Sequence, residues 1–184
     1  MTTMFLLSAP SRSGNSTLVS RLLAGDPGLR FSVSYTTRRP RGNEKPGESY
    51  IYITRQEFQD RIAAQEFLEY AEVFGNYYGT HREVLEQAQS EGKELILDID
   101  VQGAGQLKKS IPEAVTVFIL PPSRDILEQR LRTRSEDSEE VIQRRVRDAA
   151  EEIRNYHQYD YVLVNHRLDQ STGTLAATVK AERV

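Results

Sequence analysis

The stretch Met4-Phe5-Leu6-Leu7-Ser8-Ala9-Pro10-Ser11-Arg12-Ser13-Gly14-Asn15-Ser16-Thr17-Leu18 sets a short apolar run, a Ser/Gly-rich turn and the start of a helical period in succession. Met4 to Leu7 predicts a strand, and the apolar spacing after the turn predicts a helix from about Ser16 to Ala24, ended by Gly25-Asp26-Pro27. That is the opening of a βα unit. A loop in this position matches the phosphate-binding pattern G-x-x-x-x-G-K-[ST], in which successive backbone N–H groups and a helix N-terminus point at phosphate oxygens. Gly14 and Ser16 fit the pattern, but Ala9 stands at the first glycine and Asn15 at the lysine. As a motif by itself the match fails, and a plain Ser/Gly-rich turn accounts for it equally well.

Further along, Glu94 to Ile99, Ala114 to Leu120 and Tyr161 to Val164 are rich in Leu, Ile and Val, with helical stretches between them. Continuous apolar strands alternating with helices predict an α/β fold with a parallel sheet covered on both faces. Phe31 to Thr80 departs from that pattern. It alternates in places, Tyr50 and Tyr52 against Ile51 and Ile53, holds six of the nine tyrosines, and carries the capping box Thr54-x-x-Glu57. It reads as a small α+β lobe inserted between two core strands. Arg132 to Ser138 is polar throughout and reads as an exposed basic loop. A long helix should follow it, with Ile142, Val146, Ala149, Ile153 and Tyr156 on one face.

At 184 residues the chain has the length of one domain with inserted lobes, and 38% hydrophobic with 28% charged residues suits an ordinary globule. The absence of cysteine excludes a disulfide framework, a thiolate metal site and a cysteine nucleophile together. Three scattered histidines, His81, His157 and His166, argue against zinc. Met4 to Leu7 is too short for a signal-peptide core or a membrane span, so a cytoplasmic location and no membrane partner are expected. The formal net charge of -3 argues against nucleic acid as a partner. Whether the chain is a monomer or a homodimer stays open.

Several longer motifs add to the loop. Phe31-Ser32-Val33-Ser34-Tyr35-Thr36-Thr37-Arg38-Arg39-Pro40-Arg41, then Glu44, Tyr50 and Glu69, then Gly75-Asn76-Tyr77-Tyr78-Gly79-Thr80 and Leu97-Asp98-Ile99-Asp100 together closely resemble guanylate kinase. The resemblance runs over essentially the whole chain. It implies a phosphate-loop parallel sheet with helices on both faces, an inserted α+β GMP-binding lobe at about 31–80, a core of 1–30 and 81–184, and a small lid at about 131–142. The implied reaction is ATP + GMP to ADP + GDP, with Mg²⁺ accompanying ATP.

The resemblance also distributes roles. It implies that Ser34, Arg38, Arg41, Tyr50 and Tyr78, with Glu44 beside them, hold the GMP phosphate, for which forked guanidinium groups and hydroxyl donors are well suited. Glu69, Thr80 and Asp100 would read guanine. A carboxylate accepts from the guanine N1–H and exocyclic amine, and adenine offers neither donor there. Asp98, in the GMP set, would also help hold the metal through water, with Ser16 as the hydroxyl ligand. ATP would lie on Ala9, Pro10, Ser11, Arg12, Ser13, Gly14, Asn15, Ser16 and Thr17, with Asn165 near adenine. Arg130, Arg134 and Arg145 look like the lid arginines that, with Arg38 and Arg41, neutralise the transferring group.

In the family, glycine and lysine stand where this chain has Arg12 and Asn15. Losing one preorganised donor from a transition state lowers rate by about 100- to 1,000-fold, so an impaired enzyme is expected. The alternative is a catalytically inactive guanylate-kinase-like module that binds nucleotide or protein.

Overall fold

The structure is a computed structural model and describes residues 2–10, 13–133 and 138–183. Ser11, Arg12 and Arg134 therefore lie outside the described residues, as does most of the expected basic loop. In chain order the elements are β1 (Met4–Ser8), α1 (Asn15–Gly25), β2 (Leu29–Phe31), β3 (Tyr35–Thr36), β4 (Ile51–Tyr52), α2 (Arg55–Ala63), β5 (Phe67–Val73), β6 (Asn76–His81), α3 (Glu83–Ser90), β7 (Glu94–Asp98), α4 (Val101–Ser110), β8 (Val115–Leu120), α5 (Arg124–Thr133), α6 (Glu139–Ile153), a 3-10 turn (Arg154–Gln158), β9 (Tyr161–Val164) and α7 (Leu168–Ala181). They group into two compact units, one of Met1–Met4 with Gly28–Ala114, the other of Phe5–Pro27 with Val115–Val184.

In the second unit β8 pairs in parallel with β1, Phe5 opposite Val115, and with β9, Val117 opposite Tyr161. Phe5, Leu6, Leu7, Phe118 and Ile119 are fully buried, as expected of parallel strands with both faces covered. Asp160 fixes the start of β9: its carboxylate accepts from the Thr116 backbone N–H and hydroxyl at 2.8 and 2.9 Å. Helices α5 and α6 share a core of Leu127, Leu131, Ile142, Val146 and Ala149.

Two expectations are corrected in this unit. The apolar stripe of α6 stops short of Tyr156, which is 48% exposed. The α-helix ends at Ile153, and the 3-10 turn that follows advances about 120° per residue instead of about 100°, so the stripe loses phase. Arg132, expected in a loop, lies in the last turn of α5. Glu128, one turn earlier, holds it at 2.6 Å, and Glu139 at the start of α6 pairs with it too. A polar segment without apolar period reads as loop, yet ion pairs of this spacing support an exposed helix end.

In the first unit β2 runs parallel to β7, Leu29 opposite Glu94 and Phe31 opposite Ile96. A second sheet has the order β4-β3-β6-β5, with β3 parallel to β4 and antiparallel to β6. The capping box forms as its sequence demands: Thr54 Oγ1 accepts from Glu57 N at 3.2 Å and Glu57 Oε2 accepts from Thr54 N at 2.7 Å. Helix α2 then buries Phe58 completely, stacked on Phe67 at 4.4 Å and Tyr77 at 5.1 Å between ring centroids. A bulge between Phe67 and Glu69 shifts the β5–β6 register, so Phe67 faces His81 while Glu69 faces Thr80. Among the described residues no helix is long and apolar enough to cross a membrane.

Candidate functional site

Two groups of predicted site residues assemble, one in each unit. In the first unit Arg38 is the centre of a polar and aromatic cluster. Its Nη1 and Nη2 donate to the two carboxylate oxygens of Glu44 at 3.0 and 2.9 Å, its Nε donates to Tyr78 Oη at 3.2 Å, and Nη1 also donates to the Arg39 carbonyl at 2.7 Å. The Tyr50 ring lies under the guanidinium at 5.2 Å and meets the Tyr78 ring edge-on at 5.8 Å. Glu44 Oε2 accepts further bonds from the Arg41 backbone N–H at 2.8 Å and Tyr52 Oη at 2.9 Å. Burial pushes the Glu44 carboxyl up, but the bonds from Arg38, Arg41 and Tyr52 outweigh it and hold the group down to about 2. For Arg38, burial opposes the charge while Glu44 and Tyr78 raise the affinity for its proton. Burial, with Asp98 and Tyr78 as further contributors, pushes the Tyr50 hydroxyl up to about 12, so it remains a donor.

Ser34 is buried, its carbonyl accepting from Ile51 N at 2.9 Å. The Arg41 side chain is exposed. Tyr52 was not foreseen as a member. Its signal was the Tyr50/Tyr52 alternation, since residues two apart on a strand share a face.

The second feature of this unit is an acidic pair, the buried Glu69 and the half-buried Asp100. The β5–β6 register makes Glu69 and Thr80 a cross-strand pair, and Thr80 Oγ1 donates to Glu69 Oε1 at 2.6 Å. Glu69 is only 4% exposed. Burial, and then the charge of Asp100, push its carboxyl up to about 7 against the stabilising bonds from Thr80. Asp100 caps α4, its Oδ1 accepting from Gly103 N at 3.0 Å and its Oδ2 from Gln102 Nε2 at 3.2 Å. Gly103 packs directly under the Glu69 carboxylate: a Cβ there would overlap Oε2, lie 3.0 Å from Cδ, and come within 3.2 Å of Asp100 Oδ1. Gln106, one turn on, ties α4 to β5 by donating to the Tyr70 carbonyl at 2.8 Å and accepting from its N–H at 3.3 Å. Neither Gly103 nor Gln106 was marked as a site residue, because nothing local distinguishes them from ordinary helical positions. Asp98 ends β7, half-buried, two residues before Asp100.

In the second unit the turn after β1 leads into α1 with Gly14 at φ 88°, a left-handed conformation suited to glycine. Ser13 N donates to the Pro10 carbonyl at 3.1 Å, and Leu18 N to the Gly14 carbonyl at 3.3 Å. Ser13 and Asn15 are buried, Ala9 and Gly14 half-buried, Ser16 and Thr17 exposed on the first turn. Asn165, just after β9, and Arg130 of α5 both reach the Ser13 carbonyl, at 2.9 and 3.4 Å. Arg145 is half-buried on α6.

A parallel α/β unit whose first strand turns through a left-handed glycine into a helix, in one chain with an α+β lobe carrying a buried carboxylate and an arginine–tyrosine cluster, defines a nucleotide kinase of the phosphate-loop class. The family model described as guanylate kinase matches residues 1–182. The chain belongs to the guanylate kinase family. A guanylate kinase of Koribacter versatilis is 51% identical over 99% of this chain and 79% of its own length. That of Escherichia coli K12 is 46% identical over 99% of this chain and 89% of its own length. The crystal structure of guanylate kinase from Anaplasma phagocytophilum superposes with a TM-score of 0.83 at 35% identity, covering 98% of this chain and 86% of that one. Shikimate kinase from Bacteroides thetaiotaomicron, at 14% identity and a TM-score of 0.51 over 97% and 98% of the two chains, shares the fold alone.

Proposed function

We propose that this protein transfers the terminal phosphoryl group of ATP to GMP, giving ADP and GDP, at a rate lowered by Asn15. The observation that carries this reading is the buried Glu69–Thr80 pair with Asp100 near it, in a member of the guanylate kinase family. The Glu69 carboxylate accepts from guanine N1–H and the exocyclic amine, and Thr80 and Asp100 complete the recognition. Adenine, with an unprotonated N1 and no such amine, would leave a buried acceptor without a donor, a loss that selects strongly between bases. Ser34, Arg38, Arg41, Tyr50 and Tyr78 take the phosphate of GMP, with Glu44 orienting Arg38.

ATP lies along residues 9–17, its phosphates on the backbone N–H groups at the start of α1. Arg130, Arg134 and Arg145 neutralise the equatorial oxygens in flight, since phosphoryl transfer demands positioning and charge stabilisation rather than covalent work by the protein. Residues 1–30 and 81–184 act as the core, 31–80 as the GMP lobe and 131–142 as a lid that excludes water. Mg²⁺ takes few protein ligands and keeps waters and phosphate oxygens; the Ser16 hydroxyl, exposed on the first turn of α1, is an oxygen donor of the kind it takes, and the Asp98 carboxylate is of the kind that would hold its waters. When bound, the ion would neutralise part of the polyphosphate charge. ATP and GMP place the reaction in the cytoplasm.

Calorimetry with GMP, AMP and CMP tests base recognition, and a coupled assay for ADP with each acceptor tests the reaction. GMP should bind in the micromolar range without ATP. Equal binding of AMP would overturn the assignment of Glu69 and Asp100.

A further inference from the structure

Two side chains from other elements of the unit reach the Ser13 carbonyl in the phosphate-loop turn. Asn165 is 5% exposed, and its side-chain Nδ2 donates to that carbonyl at 2.9 Å across 152 residues of sequence. The Asn165 backbone is fixed independently, its N–H donating to the Leu120 carbonyl at the end of β8 at 2.8 Å. The amide is therefore a rigid strut from the sheet to the turn. It also sits against Gly14: a Cβ on Gly14 would come within 2.7 Å of Asn165 Nδ2, in addition to the strain its φ of 88° would impose. The second donor to the carbonyl, Arg130 Nη1, is longer at 3.4 Å and belongs to an arginine side chain that is only half-buried. Short, buried and anchored at both ends, the Asn165 bond is the stronger of the two.

We infer that Asn165 is a positioning residue for the phosphate loop: its amide holds the Ser13 carbonyl turned away from the phosphate site, so that the N–H groups beginning α1 face the triphosphate. A peptide unit has its C=O and N–H on opposite sides, so fixing the Ser13 oxygen fixes the direction of the Gly14 N–H. The inference rests on the proposal that residues 9–17 take ATP. It differs from a base-reading role in one decisive respect: it acts on the polyphosphate whatever is attached to it.

The test compares the full-length protein with Asn165→Ala and Asn165→Asp, which removes the donor while keeping the shape. Binding of ATP and of inorganic tripolyphosphate is measured by calorimetry with Mg²⁺ present, GMP binding serves as control, and backbone hydrogen exchange is followed by mass spectrometry. Both variants should weaken ATP and tripolyphosphate by the same factor, about tenfold for a lost buried hydrogen bond. GMP affinity should be unchanged, and faster exchange should be confined to residues 13–18. A variant that weakens ATP and leaves tripolyphosphate untouched would overturn the inference in favour of an adenine contact. Unchanged exchange at 13–18, or faster exchange throughout the second unit, would overturn it as well. If the unaltered protein binds neither ATP nor tripolyphosphate, the ATP assignment fails, and the exchange pattern still decides whether Asn165 holds the turn.

Discussion

Arg38 and Glu44 form a two-pronged ion pair, Nη1 to Oε2 at 3.0 Å and Nη2 to Oε1 at 2.9 Å, at the centre of the proposed phosphate site. With Nε on Tyr78 and Nη1 also on the Arg39 carbonyl, most of the guanidinium donors are engaged before any ligand arrives. The guanidinium is held in place with its fork turned on Glu44, so an incoming phosphate meets a fixed positive charge rather than an open fork. The pair also makes lobe stability pH-dependent. Glu44 is held at about 2 against an ordinary 4.5, so its contribution is complete above about pH 4.5 and is lost as pH falls toward 2. Glu44→Gln should lower the thermal midpoint at pH 7, and the gap to the unaltered protein should shrink steadily in scans at pH 4, 3 and 2.5. A gap that stays constant across these scans would contradict the assignment.

Glu69 gives a pH dependence of the opposite sense. Its carboxyl is raised to about 7, so near neutrality half of the molecules carry a proton where guanine requires an acceptor. Binding must then expel that proton, and base affinity should fall about tenfold per pH unit below 7 and level off above it. Guanosine is the appropriate ligand because it lacks the titrating phosphate. Calorimetry in buffers of different ionisation enthalpy should show proton release at pH 6 and none at pH 8.5. Without ligand, the same shift makes stability decline as pH rises from about 4.5 to 7, and Glu69→Gln should remove that slope.

Gly103→Ala should weaken GMP by at least about tenfold while leaving ATP affinity within twofold, because a methyl group there overlaps the Glu69 carboxylate and forces it off its position opposite Thr80. Circular dichroism would verify that α4 still forms. Retained GMP affinity in a folded variant would show that the carboxylate has room to move.

Asn15→Lys should raise ATP-dependent GDP formation by at least about 100-fold, the usual worth of one preorganised donor to charge developing in the transition state. GMP affinity should not change, since Asn15 opens α1 in the other unit. A steady-state assay at saturating GMP decides this, and no gain would mean that the lysine is not what limits the rate.

The sequence by itself marked the first strand and the helix after it, the later apolar strands, the cap at Thr54 and the departures at Arg12 and Asn15. These are carried by local patterns: an unbroken apolar run, a period of 3.6, a spacing of three residues. Of the two readings that failed, the helical stripe through Tyr156 failed where local geometry changed from α to 3-10 with no mark in the apolar spacing, and the loop at Arg132 failed where ion pairs extend a helix end. Only the tertiary structure decided which side chains meet. Glu69 faces Thr80 because a bulge after Phe67 shifts the register, and a one-residue difference there would turn the carboxylate to the opposite face. Gly103 matters because the Asp100 cap brings the first turn of α4 under that carboxylate, and Asn165 because β8 and β9 align to carry it to Ser13. Contacts of this kind depend on how whole elements pack. Sequence spacing encodes only which face each element presents.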